Sequence, residues 1–89
     1  MKAVITVIGK DTVGIIAKVA TLCAEHSANI EDITQSVLKD YFAMIMLANI
    51  EELNCDFSAF VDALEKLGHD NKLEIRAMHE DIFDAMHTI

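Results

Sequence analysis

The chain has 89 residues, of which 53% are apolar and 25% charged, with no proline, a composition that is typical of a compact globular domain and excludes a disordered segment. Its formal charge is -8 and none of its seven Lys and Arg residues adjoins another, so nucleic acid and anionic membranes, which both require positive charge, are poor partners. The length predicts one domain, residues 1–89. The sequence shows neither a signal-peptide pattern nor a run of about 18 continuous apolar residues, which predicts a cytoplasmic protein.

The beginning of the chain predicts a strand followed by a helix. Ala3–Ile8 is rich in Val and Ile and almost uniformly apolar, as expected of a strand that is buried on both faces in the middle of a sheet. From Val13 to His26, apolar residues recur at the spacing of one helical face. The connecting loop Gly9-Lys10-Asp11 is short and polar, and Asp11 or Thr12 can cap the helix.

A hairpin is predicted next. Ile30–Leu38 alternates imperfectly between apolar and polar residues, which indicates a strand with one exposed face and leaves room for a bulge. Lys39-Asp40 supplies a two-residue turn, and the apolar run Tyr41–Ile50 is the antiparallel partner strand.

The rest of the chain predicts a helix, a strand and a short terminal helix. Asp56–Gly68 places apolar side chains on one helical face and ends at a glycine, with Asn54 or Asp56 as its cap. Lys72–Met78 alternates as a half-exposed strand. Glu80–Ile89 has the spacing of a helix so short that it must dock to persist. Its apolar stripe, which we call the terminal stripe, consists of Ile82, Phe83, Met86 and Ile89.

This order of elements predicts the α+β fold class. Two right-handed strand-helix-strand crossovers joined by a hairpin give a four-stranded antiparallel sheet with both helices on one face, the ferredoxin-like βαββαβ sandwich, here with an extra C-terminal helix. The junction between the first strand and the first helix is where we expect a small molecule, because the first amides of a helix lack internal partners and carry the positive end of the helix dipole.

Two segments carry a resemblance to a known family. The run V-I-G-K-D-x-x-G-I-I-A-K-V, residues 7–19, and the run A-N-I-E-D-I-T-Q, residues 28–35, resemble the ACT domain, the small regulatory module that senses amino acids. The chain is most similar to the stand-alone single-ACT proteins of bacteria. The same two segments are similar to the ACT half of glycine cleavage repressor-type regulators, and the resemblance covers nearly the whole chain.

The resemblance implies a regulatory domain that forms a homodimer, binds a small effector such as an amino acid between two subunits, and modulates a larger enzyme or regulator. It places the effector at the first loop, the start of the first helix and the start of the second strand. Carried over position by position, the lining residues are Gly9, Asp11, Val13, Gly14, Ile15, Asn29 and Ile30. We expect no cofactor and no catalytic residue.

Three of these positions also have a purely structural explanation. Gly14 leaves the helix N-terminus open to a ligand carboxylate, or allows close packing of the helix on the sheet. Asp11 can accept a hydrogen bond from a ligand ammonium, or cap the helix. Asn29 can donate and accept hydrogen bonds toward the same zwitterion, or end the first helix in the left-handed region.

Residue spacing disfavours metal binding, catalysis and RNA binding. No two of the four histidines lie three or four residues apart on one predicted helix, so we assign no metal site. An enzyme of the acylphosphatase type shares the predicted topology but requires an Arg in the first loop, where this chain offers only Lys10. The aromatic pair Tyr41 and Phe42 has no basic residues beside it, as an RNA-binding sheet would require.

The alternative function is a protein-protein interaction or dimerisation module that binds no ligand. The exposed sheet face and the terminal stripe can serve self-association or docking to a larger protein. The terminal stripe can equally pack on its own sheet.

Overall fold

The structure is a computed structural model that describes residues 1–10 and 14–86. At Leu38 it describes the backbone but not the side chain. Its elements are, in chain order, β1 (Lys2–Gly9), α1 (Ile15–Glu25), β2 (Asn29–Leu38), β3 (Tyr41–Asn49), α2 (Phe57–Asp70), β4 (Glu74–His79) and α3 (Glu80–Met86). The strands form one antiparallel sheet in the order β2-β3-β1-β4, and α1 and α2 pack against one of its faces. The predicted ferredoxin-like α+β fold is confirmed.

The hydrophobic core lies between the sheet and these two helices. Because side chains alternate along a strand, β1 directs Ala3, Ile5 and Val7 to the same face, and all three are fully buried. They belong to one cluster with buried residues of the neighbouring elements. That cluster includes Val19 and Cys23 of α1, Met44 and Met46 of β3, and Phe60 and Leu64 of α2.

The opposite face of the sheet is only partly covered, so the expectation that β1 is buried on both faces is wrong. Val4 is buried on this face near the start of β1, where α3 contacts both β1 and β4. Ile8 lies on the same face at the other end of β1 and is 47% exposed. Tyr41 and Ile45 of β3 are exposed as well, so this end of the face is open to solvent.

The terminal stripe packs only in part on its own sheet. Phe83 is half-buried, whereas Ile82 and Met86 are exposed. Ile89, the last member of the predicted stripe, lies outside the described residues.

The helix α2 continues past Gly68, where the sequence predicts its end. Gly68 lies inside the helix, and a Cβ at this position would stand 2.7 Å from the Leu73 carbonyl oxygen and 3.0 Å from Cγ1 of Ile75. The close approach of β4 therefore requires this glycine. α2 ends at Asp70, and the Asn71 side-chain amide donates to the Leu67 carbonyl over 2.8 Å. No described helix, α2 included, is long and apolar enough to span a membrane.

The strand β2 is an edge strand with a bulge. Its register against β3 shifts between Ile30 and Asp32, which makes Glu31 the extra residue and confirms the expected irregularity. Every residue from Glu31 to Val37 is exposed. Since β2 lies at the end of the strand order, its outer edge presents backbone N–H and C=O groups to which a further strand can pair.

Candidate functional site

Several of the sequence-predicted site residues lie where β1 leads into α1, a region that we call the loop end. Gly9 is the last residue of β1, Gly14 immediately precedes α1, and Ile15 is the first residue of α1. Asp11 and Val13 lie outside the described residues, as does the predicted helix cap. The loop end therefore presents the N-terminus of α1.

Gly14 has a left-handed backbone, with φ +75°, that residues with side chains rarely adopt. A Cβ at this position would meet no described atom within 4 Å, so close packing of helix on sheet does not explain the glycine. The Gly14 carbonyl accepts the first helical hydrogen bond, from the Lys18 amide over 3.0 Å. The amides of Ile15, Ile16 and Ala17 precede that bond, lack an intrahelical acceptor and point toward the loop end.

Gly9 and Ile15 have structural roles at the loop end. A Cβ at Gly9 would collide with Cδ2 of Leu73, so the glycine allows the turn before β4 to approach β1. The Ile15 side chain is buried in the core, which leaves its backbone amide as the group that a ligand can reach.

Asn29 and Ile30 lie at the opposite end of the sheet, which we call the Asn29 end. Asn29 pairs with Asn49 of β3, whereas Gly9 pairs with Phe42 of the same strand. These two β3 residues are seven positions apart, which corresponds to about 24 Å along a strand. Within one chain, the structure does not bring the two parts of the predicted site together.

The Asn29 end contains a polar cavity of about 370 Å³, lined by Ser27, Asn29, Asn49, Glu51 and Glu52. Asn49 is engaged there, because its Oδ1 accepts a hydrogen bond from the Glu51 amide over 2.9 Å. Asn29 is exposed, and its side chain makes no hydrogen bond to another described residue. Its amide can therefore both donate to and accept from a ligand. The Ile30 side chain is half-buried against the core.

The helix-ending role considered for Asn29 belongs to other residues. The left-handed residue after α1 is Ser27, with φ 60°, and Asn29 is already the first residue of β2. Asn54, which the sequence predicts as a cap of α2, instead donates from Nδ2 to the Glu25 carbonyl at the end of α1, over 3.0 Å. Asn29 is thus not needed to end α1.

An ion pair between Lys2 of β1 and Glu31, the extra residue of the β2 bulge, lies close to Asn29. The Lys2 Nζ lies 2.9 Å from Glu31 Oε1, and Asn49 Nδ2 lies 3.5 Å from Glu31 Oε2. The hydrogen bond from Lys2 lowers the pKa of the Glu31 carboxyl, and the same contact raises the pKa of the Lys2 ammonium. Both groups therefore keep their charge near neutral pH.

Sequence reasoning did not identify the neighbours of Asn29 in this cavity. A two-residue turn at Lys39-Asp40 with an unbroken ladder would pair Asn49 with Ile30, and only the bulge brings Asn49 opposite Asn29. The imperfect alternation of β2 was the one sequence signal of that shift.

The described part of the chain contains no cluster of metal ligands, and one of its two free cysteines is buried. Within residues 1–10 and 14–86, no cluster of three or more His, Cys, Asp and Glu side chains could hold a metal ion. Cys23 is buried, and burial raises the pKa of its thiol to about 11, far above that of a reactive thiolate. Cys23 therefore contributes to packing.

Known proteins with similar sequence and structure share this architecture. Residues 2–78 match the family model described as ACT domain. The chain is 47% identical over 88 residues to a UPF0237 protein of Bifidobacterium longum, and the match covers 99% of this chain and 98% of that protein. It is similar to the solved structure of an ACT domain protein from Streptococcus pneumoniae, with a TM-score of 0.82, 39% identity and 98% coverage of each chain. A candidate glycine cleavage system transcriptional repressor gives a TM-score of 0.72 at 27% identity, over 86% of this chain and 44% of that one.

Proposed function

Because the chain belongs to the ACT domain family, whose members are generally regulatory modules that bind small ligands, we propose that it is a non-catalytic ligand sensor. Two copies form a homodimer, a small molecule such as an amino acid binds where they meet, and the bound dimer modulates a partner enzyme or regulator. The observation that carries this proposal is the position of the two parts of the predicted site, at opposite ends of the sheet in one chain.

The outer edge of β2 is the surface that we assign to the dimer. Ile33 and Val37 are 37% and 73% exposed, and both lie along this edge strand. Pairing of two β2 strands about a two-fold axis would satisfy their open backbone groups and cover these apolar side chains.

Antiparallel pairing of two β2 strands completes the site. Gly9, Phe42 and Val37 share one row across the sheet, so the loop end lies beside the end of β2. A two-fold axis reverses the direction of the second β2 strand, which brings the Asn29 end of one subunit beside the loop end of its partner. Each dimer then contains two such sites, and each site takes residues from both chains.

The charges of the two ends suit a zwitterion. The amides at the start of α1, which have no intrahelical acceptor, can donate hydrogen bonds to a carboxylate, since they carry the positive end of the helix dipole. The Asn29 end supplies the Asn29 amide oxygen and the Glu52 carboxylate, which can accept hydrogen bonds from an ammonium, while Glu51 Oε1 already accepts from the N-terminal ammonium over 3.1 Å. An amino acid bridges two such groups within a few ångströms, which is why we propose this ligand class.

A thermal-unfolding screen of the protein against the common amino acids tests the ligand. A ligand at about 100 times its dissociation constant adds roughly 2.7 kcal/mol to the free energy of unfolding. For a domain of this size, each kcal/mol raises the unfolding midpoint by about 4 to 8 °C. We expect one amino acid to raise the midpoint, and a screen in which none does would contradict the sensor proposal.

Mixing two inactive variants then tests whether the site spans two chains. Asn29→Ala removes the amide at one end, and Gly14→Asn adds a side chain before the α1 amides while tolerating the left-handed backbone. Each variant alone should lose the ligand-induced shift. A heterodimer of the two has one intact site of two, and random mixing makes about half of the dimers heterodimers, so mixing should restore binding to about a quarter of the wild-type stoichiometry.

The matched control mixes Asn29→Ala with the double variant Asn29→Ala, Gly14→Asn, a heterodimer that has no intact site. Restored binding in the first mixture alone supports a shared site. If neither mixture binds although heterodimers form, the site does not span two chains.

The alternative, a dimerisation module without a ligand, is supported by the exposure of Val37 and Ile33, which favours strand pairing with or without an effector. If the protein responds to no amino acid in the screen, its oligomeric state, measured by sedimentation equilibrium, distinguishes the two functions. A stable dimer under those conditions favours the interaction module.

A further inference from the structure

A second cavity lies at the loop end. It has a volume of about 870 Å³ and is formed by the end of β1, the start of β3 and the turn between α2 and β4. It lies within one chain, shares only Gly9 with the site of the proposed function, and needs no second subunit.

Two ammonium groups line this cavity without a carboxylate partner. Among the described residues, no Asp or Glu oxygen lies within 4.0 Å of the Nζ of Lys10 or of Lys72. The carboxylate of the cavity, Glu74, is already engaged, because its Oε1 accepts from Arg76 Nη2 over 2.9 Å and from Arg76 Nε over 3.0 Å. Within the described part of the chain, whose full formal charge is -8, the cavity thus presents two ammonium groups that have no ion-pair partner.

A third ammonium is fixed at the rim. The Lys18 Nζ donates to Asn71 Oδ1 over 2.7 Å, and Asn71 is itself held by its bond to the Leu67 carbonyl. Asn71 lines the cavity, so this contact brings the first turns of α1 to the same place as the turn after α2. Two lysines therefore line the cavity, and a third contacts Asn71, one of its lining residues.

The floor of the cavity is apolar and aromatic. Ile8 is exposed on the open sheet face, Leu73 is half-buried, and the Tyr41 ring is 50% exposed. The Lys10 Nζ lies 5.4 Å from the centre of the Tyr41 ring, which directs that ammonium over an aromatic surface. A ligand with a planar or apolar body can pack on this floor while its anionic group reaches the ammonium groups.

We propose that this cavity binds a small phosphate ester with a planar or apolar body. Lys10 and Lys72 contact the phosphate, with Lys18 adding to the local positive potential, and Tyr41 packs against the body. A dianion suits separated ammonium groups because each lysine acts as a point charge and all three carry the same sign.

Titration of the isotopically labelled protein with phenyl phosphate, followed by amide NMR spectra, tests the proposal. Phenyl phosphate combines a planar ring with a dianion, and we expect a dissociation constant on the order of 1 mM for contacts this exposed. The shifts should centre on Lys10, Tyr41 and the turn from His69 to Glu74. Phenol should produce no comparable shifts at the same concentration, and inorganic phosphate should bind more weakly.

Matched variants identify the residues. Lys10→Gln and Lys72→Gln should each weaken phenyl phosphate binding about three- to fivefold, the size expected for loss of one exposed charge contact. Lys66→Gln removes an exposed positive charge from α2 outside the cavity and should leave binding unchanged. Asn29→Ala should also leave it unchanged, which separates this cavity from the proposed interface site.

Three results would overturn the assignment of this cavity. These are shifts that centre elsewhere, equal weakening by Lys66→Gln, and binding of phenol as tight as that of phenyl phosphate. Failure of the amino acid screen described above would not affect the assignment, because the two sites use different residues.

Discussion

The strands β1 and β2 flank the same partner, β3, yet their environments are opposite. β1 pairs with a strand on each side and directs Ala3, Ile5 and Val7 into the core. β2 pairs along one side with β3, and its residues from Glu31 to Val37 are all exposed. The difference indicates that β1 determines folding stability while β2 is available for association, so substitutions should affect these two properties separately.

Truncation of a core residue of β1 should have the largest effect. Ile5→Ala removes a fully buried side chain and should lower the free energy of unfolding by about 2 to 5 kcal/mol. Urea denaturation measures this loss. Val37→Ala on β2 is the matched control and should cost less than about 1 kcal/mol in the monomer, because Val37 is 73% exposed. Equal losses would remove the distinction between the strands.

A charge on β2 should weaken the dimer without unfolding the subunit. Ile33→Lys, near the middle of β2, places two like charges near each other across the proposed antiparallel pairing and removes apolar contact, so the dissociation constant of the dimer should rise about tenfold or more. Sedimentation equilibrium measures the dissociation constant. Ile45→Lys substitutes a residue exposed on the open sheet face and should leave the dimer intact. If Ile45→Lys alone dissociates the dimer, the interface is the sheet face.

Gly14 offers a test in which backbone conformation alone should decide the result. Gly14→Ala should lower the free energy of unfolding by about 1 to 2 kcal/mol, because φ +75° disfavours a Cβ although no described atom obstructs it. Gly14→Asn should cost less, since Asn enters the left-handed region more readily. Denaturant titration compares the two, and equal costs would show that the added side chain meets an obstacle.

The ion pair between Lys2 and Glu31 should give the smallest effect, visible as a pH dependence. The hydrogen bond from Lys2 lowers the Glu31 pKa below its ordinary value of 4.5, so the folded state is favoured above that pH. This contribution disappears as the pH falls through the lowered pKa.

The unfolding midpoint of Glu31→Gln, compared with that of the unchanged protein between neutral and acid pH, measures this contribution. The difference between the two proteins should shrink as the pH falls. Glu65→Gln, an exposed substitution on α2, serves as the control. A difference that grows toward acid pH would contradict the assigned role of Glu31.

The sequence by itself determined the order and type of the elements, because hydrophobic periodicity is local. Ala3–Ile8 and Val13–His26 each carry their own pattern, and the structure places β1 and α1 there. The two segments that resemble the ACT domain likewise identified the family. The requirement for glycine at position 14 was visible in the sequence, although its cause, a left-handed backbone, was not.

Tertiary structure decided which residues meet, because contacts between distant segments depend on register and on the partner face. The end of α2 predicted at Gly68 was wrong, because the glycine is required there by the close approach of Leu73, in the turn before β4, and of Ile75 in β4. The bulge at Glu31 sets Asn29 opposite Asn49 and could not be located from a short alternating strand. The distance between Gly9 and Asn29 was likewise decided by register, because both residues pair with β3, at Phe42 and at Asn49.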